Sequence, residues 1–243
     1  MSTSYAILLP CLFQLNEFLN KKKVINLIFF TFSGLVIILM GARGPLLGLI
    51  MYFILRFFLT KFTLNKTIAS LVGFILIILF VLNINVVQAQ VMQFIQTYDI
   101  HSRTLKGFAS NTITQTSGRN TLWAYYFELI GEKPLFGWGL YGGWISEGSG
   151  PHNMLVGYLL AFGYIFGGII CFLSICLIFR VFFVENEILK QLILLFCARN
   201  ISLYVSAGEF LTNVNWLIFV ALCIISFKIK TSNPNQTIRV SPS

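Results

Sequence analysis

The sequence predicts an all-α integral membrane protein with about six or seven transmembrane helices and one large extracytoplasmic loop. Three observations predict it. Of the 243 residues, 57% are hydrophobic and only 10% are charged, with 25 phenylalanines, a composition too apolar for a water-facing surface. The apolar residues gather in runs of about 20, the length that crosses a bilayer. The basic residues fall on one side when those runs are threaded alternately through a membrane.

Five runs are long enough to span: 24–42, 68–87, 153–179, 188–207 and 210–227. Two shorter ones, 5–20 and 45–60, are borderline, and the second holds Arg56, which can snorkel only near a helix end. Threading takes 24–42 outward, turns at Gly44-Pro45 and brings 45–60 back to a cytoplasmic link from Lys61 to Lys66. The run 68–87 then crosses outward into the loop, and 153–179, 188–207 and 210–227 cross in, out and in again. The chain thus divides into N-terminal transmembrane helices (1–87), an extracytoplasmic loop carrying a short interfacial helix (88–152), C-terminal transmembrane helices (153–227) and a polar cytoplasmic tail (228–243). If 5–20 also spans, the chain begins outside.

With Lys21-Lys22-Lys23 in the cytoplasm, Arg56, Lys61, Lys66, Arg180, Lys190, Lys228, Lys230 and Arg239 fall on the same side. The net charge of +9 is therefore a topology signal, and membrane lipid is the partner it implies; nucleic acid is not. Cys11, Cys171, Cys176, Cys197 and Cys223 all lie in apolar runs, with no CxxC, which argues against a disulfide framework or a zinc site. The N-terminus lacks the basic start of a signal peptide. There is no P-loop, no dinucleotide fingerprint and no HExxH, so neither a metal nor a nucleotide cofactor is expected.

Within the loop, 88–98 is weakly amphipathic and extends the preceding helix, while the Ser/Thr/Asn-rich stretch 99–117 reads as irregular. Ser117 can cap a helix from Arg119 to about Gly131, stopped by Lys133-Pro134. That helix is apolar nearly all round and carries Trp123, Tyr125 and Tyr126, which favour a membrane interface. From Gly137 to Gly150 periodicity vanishes, and the glycines permit positive φ and close approach of backbone to a ligand.

Five residues are candidates for chemistry. Arg43, in Gly41-Ala42-Arg43-Gly44-Pro45, lies at an outer helix end, against the positive-inside bias, where a guanidinium faces either a polar cavity or the interface. Arg119 opens its helix, so its fork and the free N–H groups of the first turn can converge on one anion. His152 opens the helix 153–179, where the dipole disfavours an imidazolium and leaves a ring that can accept a proton. Asn153 beside it can cap the helix or orient a sugar hydroxyl. Arg199 lies inside a span, facing either a substrate or a structural partner at Glu209. Glu128 and Glu132, one turn apart, read as a solvated face, and His101 as a plain loop residue.

Ser117-Gly118-Arg119, Trp123, Pro134, Gly137-Trp138-Gly139 and His152-Asn153, followed by Leu155 and Gly163, resemble the domain shared by O-antigen ligases and O-antigen polymerases. Gly41-Ala42-Arg43-Gly44-Pro45-Leu46-Leu47 resembles the segment upstream of it, and the likeness spans about residues 30–175. The resemblance implies a metal-independent glycosyltransferase of the bacterial inner membrane, active on the periplasmic or outer face. Its donor would be an undecaprenyl-diphosphate-linked glycan and its acceptor a growing glycan, lipid A-core or a protein. Carried onto this chain, the resemblance places Arg43 and Arg119 at the diphosphate and His152 at the acceptor hydroxyl. Family members are usually longer, which implies a chain shortened at its N-terminus. A polytopic transporter, with Arg43 and Arg199 as substrate contacts, is the competing class, although the sequence has no internal repeat of the kind transporters show.

Overall fold

The computed structural model describes residues 2–61, 68, 72, 75, 78–79, 82–110, 119–142, 150–206 and 213–229. Among them all regular structure is helical. The N-terminal part holds α1 (Ser2–Lys21), α2 (Val24–Leu39) and α3 (Arg43–Leu59). After helical positions between 68 and 82 come α4 (Ile84–Thr97), α5 (Arg103–Ala109) and α6 (Arg119–Glu132). The C-terminal part holds α7 (Met154–Phe162), α8 (Gly168–Phe179), α9 (Glu187–Ser206) and α10 (Val214–Lys228).

A π turn at Gly163–Gly167 joins α7 to α8, and a 3-10 turn at Arg180–Phe183 ends them, so Met154–Phe183 runs as one 30-residue helix. Among the described residues this is the helix both long and apolar enough to cross a membrane; Val24–Leu39 and Val214–Lys228 are apolar but shorter. Length and composition thus establish one candidate crossing, and the count of six or seven rests on the sequence pattern alone. The surface agrees with a lipid environment. Phe32 and Phe172 are 67% and 66% exposed, amid Phe29, Leu35, Ile169 and Leu173, an apolar exterior that water does not tolerate.

Several boundaries differ from the sequence reading. The first turn is at Met40–Ala42, where Gly41 takes φ +71°, and Gly44 and Pro45 are buried in the first turn of α3. The span placed at 68–87 breaks at Asn83, whose amide bonds back to the Leu79 carbonyl at 2.8 Å. The stretch 99–117 is not wholly irregular. Ser102 caps α5, accepting from the Leu105 N–H, and donates its hydroxyl to the Ile38 carbonyl at 2.8 Å. A tertiary tie to the end of α2 steadies a helix too short to hold by itself. The tail from residue 230, Ser117-Gly118, Gly143–Ser149 and Glu209 lie outside the described residues.

The core forms where α1, α3 and α9 meet. Gly48 permits the close approach, since a Cβ there would lie 2.8 Å from Leu8 Cδ2 and 3.3 Å from the Ala198 carbonyl oxygen. At one end of this bundle Asn16 is buried and hydrogen-bonded through both amide atoms. Its Oδ1 accepts from Arg56 Nη1 at 2.6 Å and from the Tyr52 hydroxyl at 2.9 Å, while its Nδ2 donates to Gln191 at 3.1 Å. Arg56 also donates to Asn20 at 2.7 Å, so its charge is solvated by amides. Asn16→Ala would strip the acceptor from both Arg56 and Tyr52, and is expected to lower stability by about 1–3 kcal/mol. The check is the thermal midpoint of purified protein in detergent; an unchanged midpoint would show the network to be dispensable.

The contacts also order the two ends. Arg56, Asn16 and Gln191 mark one end, with Arg180 bonded to Ser226 near the close of α8 and α10. At the other, Ser4 bonds Met40, Arg199 bonds the Tyr5 carbonyl, and Asn213, which caps α10, approaches Met154 at the start of α7. Arg43 and His152 therefore share one end of the bundle, opposite Lys21, Arg56, Arg180, Lys190 and Lys228.

Candidate active site

The site is built where α6 packs on α7. Tyr126 and Ile130 of α6 are fully buried against Val156 and Leu160 of α7, which fixes the two helices side by side. Glu128 and Glu132 lie on the exposed face of α6, consistent with a solvated pair. Arg119 is the first residue of α6, and Trp123 stands one turn later. The Trp123 indole N–H donates to the Pro151 carbonyl at 3.1 Å, a bond that ties α6 to the approach of α7.

Pro151 leads into His152, which adopts φ +50°, a left-handed conformation uncommon outside glycine but more frequent for Asn, Asp and His. His152 is exposed, whereas Gly150, Pro151, Asn153 and Met154 around it are buried. Asn153 is the N-cap of α7. Its Oδ1 accepts from the Leu155 and Val156 N–H groups at 2.9 and 3.3 Å, so the oxygen is taken up by the helix rather than left for a ligand.

The first part of the glycine-rich stretch, residues 137–142, packs on α7, where the sequence reading expects a ligand loop over Gly137–Gly150. Trp138 and Gly139 donate their backbone N–H groups to the Leu160 and Ala161 carbonyls at 2.8 and 3.0 Å, and Tyr164 N–H returns to the Pro134 carbonyl at 2.7 Å. The exchange is possible because Gly163, at φ +73°, breaks the helical register and leaves the last carbonyls of α7 without intrahelical donors. Gly137 and Gly163 are the two contact points. A Cβ on Gly137 would lie 2.5 Å from the Leu160 oxygen, and one on Gly163 2.6 Å from Pro134 and Leu135 backbone atoms. Trp138 closes the corner, donating its indole N–H to the Leu129 carbonyl at 2.6 Å under the Lys133 ammonium, 3.9 Å from the ring centre.

Gly137→Ala and Gly163→Ala are each expected to cost about 2–4 kcal/mol, combining a left-handed backbone with a backbone clash. Gly139 has φ +80° but open space around its Cβ position, so Gly139→Asn, a residue that tolerates this conformation, should be nearly neutral. Thermal midpoints of the three variants check this; equal losses at all three would mean that the interlock does not set the cost.

Arg43 is the first residue of α3 and is exposed, at the end of the bundle that also carries His152. Arg199 is only 9% exposed. Its Nη2 reaches the Tyr5 carbonyl at 3.5 Å, while Nε and Nη1 are buried with no hydrogen-bond partner among the described residues. The role of Trp123 as a clamp escaped the sequence reading, as did the Asn16 network. The second left a signal, since Asn16 and Asn20 stand one turn apart in a mostly apolar run.

A family model for O-antigen ligase matches residues 28–173, covering the Arg43 turn, the clamp, the interlock and His152. The chain belongs to the O-antigen ligase family. No curated protein and no solved structure matches it. Membership makes this ligase-family protein part of a membrane-embedded bacterial group concerned with glycan ligation or polymerisation, using in general a lipid-linked glycan and an acceptor. Its matched region is also the region that organises the helix end around His152.

Proposed function

We propose that the protein transfers a glycan from undecaprenyl diphosphate to an acceptor hydroxyl on the periplasmic or outer face of the inner membrane, extending a surface polysaccharide. The bond from the anomeric carbon to the diphosphate oxygen breaks, and a glycosidic bond to the acceptor oxygen forms. His152 takes the acceptor proton, and undecaprenyl diphosphate leaves with its developing charge met by Arg43 and Arg119. Asn153 serves by fixing the turn that carries His152. Arg199, with donors left over inside the bundle, offers a further contact for an anionic or carbonyl-bearing part of a substrate.

The observation that carries this reading is His152 itself: an exposed imidazole on a left-handed residue between buried neighbours, inside the family-matched segment and at the Arg43 end. Ligation of finished polysaccharide to lipid A-core or protein is the second reading, favoured by the description of the matched family. Both keep the same donor and the same base and differ in the acceptor. Glycan from a strain lacking the protein tests them together. Loss of the length ladder with single repeats intact means polymerisation, and accumulation of free lipid-linked polymer means ligation. An unchanged profile would remove both.

A further inference from the structure

We propose that Trp123 is a positioning residue for His152, an inference that rests on the proposed role of His152 as base. The indole N–H grips the carbonyl of Pro151, the peptide unit immediately before His152. A non-glycine residue at positive φ persists when its surroundings over-determine it. Here the restraint comes from both sides: Trp123 holds the preceding carbonyl, and the Asn153 cap holds the following residue to α7. Only His152 between them is exposed.

The same bond gives the arrangement a direction. Positions 119 and 123 are four apart on α6 and therefore share a helix face. Trp123 thus ties the helix that opens with Arg119, the residue assigned to the diphosphate, to the turn that carries the residue assigned to the acceptor. The buried Tyr126 and Ile130, farther along α6, hold the helix pair together without this bond, so removing it alters the aim of His152 more than the packing.

The test is a double-mutant cycle read as turnover, using the lipid-linked glycan that accumulates in a strain lacking the protein. Trp123→Phe keeps a ring and removes the donor. It is expected to lower kcat about 10–100-fold, the scale of a small misplacement of a reacting group, with donor KM within about twofold of wild type. In a His152→Ala background it should cost nothing further, because a residue that acts only through His152 has nothing left to position. Benzothienylalanine at position 123, with sulfur in place of the indole N–H at nearly constant shape, repeats the measurement should the phenylalanine variant fold poorly. Wild-type kcat in both Trp123 variants, or a loss that multiplies with that of His152→Ala, overturns the positioning role alone. Full activity in His152→Ala overturns the assignment of the base, and this proposal with it.

Discussion

Replacing His152 with alanine is expected to slow glycan transfer about 10²–10⁴-fold while leaving the protein inserted and donor binding largely intact. The magnitude is what a positioned general base typically contributes. Stability should change little, because the side chain is exposed and the turn is held by Trp123 and Asn153 rather than by the imidazole. Loss of a β-substituted residue at φ +50° gives alanine no advantage, so His152→Asn is the better control for the backbone, since Asn tolerates that conformation. Both variants should lose turnover alike if the imidazole does the chemistry. Normal-length glycan from either would return His152 to a structural role at the mouth of α7.

Arg43→Lys and Arg119→Lys are expected to cost about 10–100-fold each in kcat/KM, with donor KM carrying much of the loss. A guanidinium offers a planar fork that matches phosphate oxygens pairwise, and lysine replaces it with a point charge. One charge-assisted hydrogen bond is worth about 1.5–3 kcal/mol, which gives that range. Single-turnover assays with purified lipid-linked donor separate this pattern from that of His152→Ala, where binding should survive. Wild-type kcat/KM in both lysine variants would remove the diphosphate assignment from these arginines.

Much of the helical layout was legible in the sequence because local signals mark it. Asn153 stands before an apolar run and does cap α7. Arg119 opens α6, and Lys133-Pro134 follows its end. What escaped depends on neighbours distant in the chain. The α5 helix needs the Ile38 carbonyl to receive Ser102, a partner that the polar stretch around it does not advertise. Gly137 and Trp138 have the composition of a ligand loop, and only the break at Gly163 reveals that their backbone is spent on α7. For the same reason the sequence marked candidate residues but not the contacts between them. His152, Asn153 and Trp123 all look alike as motif positions, yet His152 is exposed while Trp123 and Asn153 hold the turn around it.

The Asn16 network has a consequence for how this protein is made. Asn16 and Gln191 are 175 residues apart, so α1 is made long before its amide partner on α9 has been synthesised. Arg56 and Tyr52 arrive first and can shelter Asn16 provisionally, but Gln191 completes the set only once the penultimate helix has emerged. The interlock between Gly137 and Gly163 likewise waits for the helix that begins at Met154. A ribosome stalled before α9, or a chain cut there, would leave a half-assembled bundle in which the Asn16 amide lacks its Gln191 acceptor, a natural mark for quality-control proteases. Arg43 and the Trp123 helix are laid down early, and the machinery around them is finished only by the last quarter of the chain.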